Sequence, residues 1–226
     1  MSRKASIAIR RMVALALFAA LAYVCTFFLH IKVMFLTFDA KDAIMTVAGM
    51  FFGPMSAAIL SLLTATLESI TIGGTGIYGF LMDVISSVTF TVTASLIYKY
   101  RKTMGGALFA LGTAIISMTA VMLVFNLLIT PLYAGYTVRE VAALIPTLLL
   151  PFNLTKALLN AALVLVLYKP IATALRRSHL VQGMTQQDSY RLRGRTLWML
   201  LIGLALIALS ILLFVLVLDG QFILWE

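Results

Sequence analysis

Seven apolar stretches, separated by charges, glycines or prolines, account for most of this 226-residue chain. About 20 mostly apolar residues suffice for a helix to cross the hydrocarbon of a bilayer. The stretches lie near 12–30, 42–53, 54–72, 77–98, 105–130, 152–175 and 196–218. The second is short, and Gly53-Pro54 joins it tightly to the third, because proline breaks the helical ladder while glycine permits the turn. It is expected to be tilted or only partly spanning. With 62% of residues hydrophobic and a mean hydropathy of +1.07, the chain carries more apolar surface than a soluble domain of this size can bury. The predicted class is an all-α integral membrane protein with lipid as its solvent.

The formal charge of +9 invites a nucleic-acid reading. The basic residues are not interleaved with aromatics on a soluble face, however; they flank the apolar stretches, so the bilayer is the partner and nucleic acid is not. A cytoplasmic N-terminus places Arg3, Lys4, Arg10, Arg11, Lys99, Arg101, Lys102, Lys169, Arg176, Arg177, Arg191, Arg193 and Arg195 inside. Only Lys32, Lys41 and Arg139 fall outside, with Lys156 in a span, which satisfies the positive-inside rule and puts the C-terminus outside. The expected location is the cell membrane, multi-pass. Residues 1–177 read as a six-helix membrane core, 178–194 as a basic cytoplasmic linker, and 195–226 as an additional helix with a short extracellular tail. That last helix has no ionisable residue across its apolar stretch and reads as a lipid-facing appendage. The first helix is read as uncleaved, and the single Cys25 inside it forms no intrachain disulfide.

Ionisable groups inside a membrane are costly and mark functional sites or buried pairs. Glu68, Asp83, Lys156 and Asn126 all fall near the outer ends of their helices, whereas the inner halves read as almost purely apolar. Asn153, Lys156 and Asn160 share one helical face. Asn126 and Thr130 are a turn apart, with Pro131 expected to end that helix and Tyr133 to form an aromatic rim. The plain structural alternative is a salt bridge from Lys156 to Asp83 or Glu68, with the asparagines as interhelical glue. Amides, a cation, Phe152 and Tyr133 in one layer favour a pocket for a polar heterocycle or a carboxylate-bearing vitamin. The outer loop HIKVMFLTFDAKD (residues 30–42) is apolar enough to close over it as a lid or to anchor at the membrane interface. The glycines of ITIGGTG, residues 70–76, supply a turn, and residues 138–150 hold a short helix outside the core, bounded by Pro146 and Pro151.

No GxxxxGK[ST], HExxH or GxSxG occurs, and the two histidines fall on opposite sides of the membrane. The chain is therefore not expected to be an enzyme, no metal site is expected, and ATP-driven transport would need other subunits. Ala14, Ala16, Ala19, Ala20 and Ala22 on the first helix make a small-residue surface that lets another helix approach closely, from this chain or from a partner.

These segments resemble the substrate-binding S components of energy-coupling factor (ECF) vitamin transporters, a six-helix membrane family. The stretch FLTFDAKDAIMTVAGMFFGP (35–54) resembles the family's first loop and second helix. FNLLITPLY (125–133) resembles the outer end of its fifth helix, and LPFNLTK (150–156) the start of the sixth helix in riboflavin-binding members. The resemblance implies ligand contacts from Asn153 and Lys156, then Asn126 and the loop residues Leu36, Thr37 and Phe38, with Asp83, Asn160, Tyr133 and Thr130 alongside. Asp83 stands where many riboflavin-type members carry asparagine. It also implies docking of Ala16 and Ala20 on a transmembrane coupling protein that works with two cytoplasmic ATPase subunits. Riboflavin is the expected cargo rather than a cofactor, and no cofactor is expected. Pantothenate or a folate is the alternative within the class. A stand-alone proton-coupled carrier using Glu68, Asp83 and Lys156 as a relay, or a ligand-free scaffold, is the alternative outside it.

Overall fold

A computed structural model describes residues 3–28, 31–72, 76–178 and 195–217. Among them are eight α-helices: α1 Arg3–Phe28, α2 Lys41–Phe52, α3 Pro54–Thr71, α4 Gly76–Tyr100, α5 Met104–Tyr133, α6 Val138–Ala143, α7 Leu150–Arg177 and α8 Arg195–Val217. A π-helical turn, Ile145–Leu149, leads into α7. Strands β1 Ile31–Val33 and β2 Leu36–Phe38 pair antiparallel between α1 and α2. Most of the linker, the C-terminal tail, His30, His179 and the central glycines of the turn before α4 lie outside the described residues.

Five helices are long and apolar enough to cross a membrane, namely α1, α3, α4, α5 and the continuous π-turn and α7 segment. They are inside-out relative to a soluble bundle: Ile116, Val124, Leu128 and Leu132 on α5 and Met55, Ile59 and Ile70 on α3 are exposed to the lipid side. Helix α2 is the exception. At 12 residues it is about 18 Å long, short of the hydrocarbon thickness. It nevertheless needs no lipid match, because α1, α3, α4 and α7 enclose it and nine of its residues are buried. Its sequence, apolar around the whole circumference, is what such a central helix requires. Gly49 permits the enclosure: a Cβ there would come within 2.7 Å of the Ala57 Cβ and 2.9 Å of the Ser95 Cβ.

The turn from α2 to α3 is the tight one expected, with Gly53 at φ 97° and Pro54 opening α3. Arg11 clamps α1 onto this turn, donating to the Phe52 carbonyl at 2.9 Å and the Ser56 hydroxyl at 2.8 Å. On α1 the inward stripe is Ala14, Phe18, Ala22 and Thr26 with Ala19, while Ala16 and Ala20 are exposed on the outer face.

Several sequence expectations change. Helix α5 continues through Pro131 to Tyr133, since a proline in the last turn forfeits a single ladder bond. The short helix expected after it is present as α6, and the chain then continues through the π-turn into α7. The half of the bundle away from the hairpin is not purely apolar: Ser61, Thr64, Ser87, Thr91 and Ser95 are buried there or on the way to it. Thr91 and Ser95 donate to the carbonyls of Ser87 and Thr91 at 2.7 Å each, and Ser61 meets Thr91 at 3.0 Å. Hydroxyls that bond back to their own helix cost little in a low dielectric, so hydropathy scarcely registers them. Helix α8 exposes Leu201, Leu204 and Leu212 as a lipid-facing helix does, and it also packs along α7 with Met199, Ile202 and Leu206 against the core.

Candidate ligand-binding site

The β-hairpin is held at one end of the bundle by an apolar cluster of Val33, Leu36, Phe38, Val141, Leu149 and Phe152. Phe38 meets Phe152 edge-on at 6.0 Å, and Phe35 lies 5.9 Å from Tyr136. The alternation of the strands explains the division of labour: Val33, Leu36 and Phe38 are buried, and Lys32 and Thr37 on the opposite face are half-buried. A two-residue connection closes the hairpin with Met34 at φ 53°, an unusual conformation for a residue bearing a side chain.

Beneath the hairpin lies a cavity of about 280 Å³ between β1–β2, α3, α4, α5 and α7. Its polar lining includes Glu68 and Asp83 from α3 and α4 and Asn153 and Lys156 from α7, with Lys32 of the hairpin and the hydroxyls of Ser69 and Ser86. Leu36, Thr37, Met122, Phe80, Phe152 and Tyr133 supply much of the rest. Tyr133 stacks on Tyr78 at 5.8 Å, which ties the ends of α4 and α5 together at the rim. Such a lining, apolar and aromatic with a few convergent polar groups, is that of small-molecule pockets.

The charges beside the cavity are organised by a residue the sequence reading left in the outer loop. Lys41 is fully buried at the start of α2. Its ammonium donates to Glu68 and to Asp83, the latter at 2.7 Å, and stands 3.8 Å from Asp39. Lys156 does not pair with Asp83 or Glu68. It donates to the Asp39 carboxylate at 2.8 Å and to the Thr37 carbonyl at 3.2 Å, which binds α7 to the hairpin's end. Two of its three N–H donors are thereby engaged.

The asparagines divide by role. Asn153 spends an N–H on the Leu149 carbonyl at 2.8 Å and lines the cavity. Asn160 accepts from the Ala43 N–H at 2.8 Å and donates to the Asp39 carbonyl at 3.1 Å. It thus caps α2, whose own N-cap Ala40 offers no side chain for the task. Asn126 and Thr130 are fully buried and bonded to each other at 3.0 Å, with Asn126 also donating to the Met122 carbonyl. Of the predicted ligand residues, the cavity therefore brings together Asn153, Lys156, Leu36, Thr37, Asp83 and Tyr133. Asn126, Thr130, Asn160 and Phe38 sit behind its wall. Glu68, Phe80, Gly76 and Gly79 line the cavity without having been named as ligand residues. The GIYG spacing of the two glycines, at positions one turn apart on α4, was the legible signal for the last pair.

Residues 10–168 match the family described as ECF transporter, substrate-specific component. The riboflavin transporter RibU of Staphylococcus aureus (strain TCH60) is 26% identical over 177 residues, which span 74% of this chain and 93% of that protein. The solved S component of a bacterial ECF transporter is similar with a TM-score of 0.63 and 26% identity, over 74% of this chain and 98% of that one. With most of the bundle and the whole cavity wall inside the matched region, this chain belongs to the family of substrate-specific components of ECF transporters.

Proposed function

We propose that this chain captures riboflavin from outside the cell and delivers it across the membrane when partner subunits reorient it. The observation that carries the reading is the cavity at the hairpin end, where Asn153 and Lys156 of the LPFNLTK segment face Leu36 and Thr37. The third N–H of Lys156 and the amide of Asn153 suit the carbonyls and ring nitrogens of a heterocycle, while Phe80, Phe152 and Leu36 suit its faces. Glu68 and Asp83, held by Lys41, suit hydroxyls as acceptors. Similarity to the S. aureus riboflavin transporter points the same way. No bond in the cargo is made or broken.

A cytoplasmic N-terminus, argued from the distribution of Lys and Arg, orients the cavity outward and α8 toward an extracellular C-terminus. In this reading Ala16 and Ala20, exposed on α1, seat a transmembrane coupling protein, and two cytoplasmic ATPases supply the phosphate-binding loops that this chain lacks.

The test is to purify the protein from cells grown in rich medium, record its absorption spectrum and identify co-purifying small molecules by mass spectrometry. A flavin spectrum that disappears in Asn153→Ala and Lys156→Ala is the expected result. A colourless protein carrying pantothenate or a folate changes the substrate and keeps the class. Uptake that depends on the proton gradient and not on ATPase partners would overturn the reading.

A further inference from the structure

Helix α8 lies beyond the family-matched residues 10–168, so its packing calls for an explanation of its own. It runs antiparallel along α7. A Cβ on Gly203 would stand 3.0 Å from the Val166 Cγ2 and 3.3 Å from the Ala162 carbonyl oxygen, so the two helices touch there almost backbone to backbone. Two turns further along, Ser210, 1% exposed, donates its hydroxyl to the Thr155 carbonyl at 3.0 Å. Small residues at both crossings are what close helix approach in lipid requires.

The Thr155 carbonyl belongs to the peptide group that joins Thr155 to Lys156. The Ser210 contact therefore grips the backbone of α7 beside Lys156 and between two residues that line the cavity, Asn153 and Lys156. This part of α7 has reason to need support. It follows a π-helical turn whose ladder is already irregular, with Leu149 N–H reaching back to the Leu144 carbonyl at 2.9 Å. Pro146 and Pro151 contribute no N–H to that ladder, and the Leu149 carbonyl also accepts from the Asn153 side chain at 2.8 Å.

We propose that α8 is a backing helix for the ligand site and that Ser210 is a positioning residue, acting through the Thr155–Lys156 peptide without touching the cargo. The inference rests on the reading of the hairpin-end cavity as the ligand site. Anchoring α7 from behind holds Lys156 between Asp39 and the cargo and slows the cargo's departure.

The test uses the full-length chain in lipid nanodiscs with riboflavin as the probe. Ser210→Ala is expected to raise the riboflavin dissociation rate about three- to tenfold, the loss of one buried hydrogen bond, with the association rate unchanged. In ligand-free protein the amides of residues 152–158 are expected to exchange faster while those of α3 and α4 do not. Gly203→Ala, which crowds α8 against Val166 and the Ala162 carbonyl, should shift both readouts in the same direction. Leu209→Ala, at a position 43% exposed to lipid, should shift neither. Unchanged dissociation and exchange in Ser210→Ala would overturn the proposal, as would faster exchange spread evenly over all helices. If the unaltered chain binds no riboflavin, the substrate reading fails by itself, and the ligand-free exchange comparison still decides the role of Ser210.

Discussion

Replacing Lys41 by methionine removes one cation and keeps a side chain of similar length. In the native protein that ammonium, 0% exposed, is shared by Glu68 and Asp83. Without it the two carboxylates confront each other in a low dielectric, while Asp39 retains Lys156. Deleting one partner of a buried ion pair costs about 3–5 kcal/mol. Glu68 and Asp83 border the cavity, with side-chain exposures of 10% and 17%, so water offsets part of the penalty. The expected loss is about 3 kcal/mol, or roughly 6–12 °C in unfolding midpoint for a chain of this size. The assay is thermal unfolding of the detergent-solubilised full-length protein as a mutant cycle. Adding Glu68→Gln and Asp83→Asn to Lys41→Met removes the orphaned charges and should recover most of the loss. A single-variant loss below about 1 kcal/mol, or a triple variant no more stable than Lys41→Met, would refute the argument that Lys41 exists to neutralise this wall.

Asn153→Ala and Asn126→Ala remove chemically identical groups on either side of the cavity wall. The first should weaken riboflavin binding about tenfold or more, the second should leave affinity near native and cost about 1 kcal/mol of stability; titration and unfolding on the same preparations separate the two. Gly49→Ala introduces a methyl into the junction of α2, α3 and α4, where it would stand only 2.7 Å from the Ala57 Cβ, and should destabilise by about 1–3 kcal/mol, read as a lowered unfolding midpoint. At the start of α6, Glu140 forms a capping box with Thr137, accepting from its N–H at 2.7 Å and its hydroxyl at 2.8 Å. These bonds to Thr137 hold the Glu140 carboxyl below its usual value. Its capping is therefore present above the ordinary glutamate range and lost as pH falls through the lowered value. Amide exchange in residues 138–143 should rise at acid pH, and Glu140→Gln should flatten that dependence.

The hairpin shows where sequence reasoning runs short. HIKVMFLTFDAKD is legible as an apolar lid, yet its two three-residue strands were not anticipated. Strands that short depend on the cluster formed with Val141, Leu149 and Phe152, residues more than a hundred positions away. The same distance hid the capping of α2 by Asn160. By contrast, the face shared by Asn153, Lys156 and Asn160 followed from helical spacing alone, and all three are buried.

What this sequence determined by itself was the solvent and the skeleton. Apolar length, breakers and flanking charge are local properties, and a bilayer imposes one-dimensional rules on them, so the helices fall close to where the runs begin and end. The tertiary structure alone decided which polar residues face the cavity. Lys41 and Lys156 are both cations near the start of an apolar helix, and Asn126 and Asn153 are both amides near a helix end. Their fates differ because partners from other helices reach them: Glu68 and Asp83 for one lysine, Asp39 for the other, Thr130 for one amide and the cavity for the other. Pairing in a low dielectric is a property of three-dimensional neighbours, which no window along the chain contains.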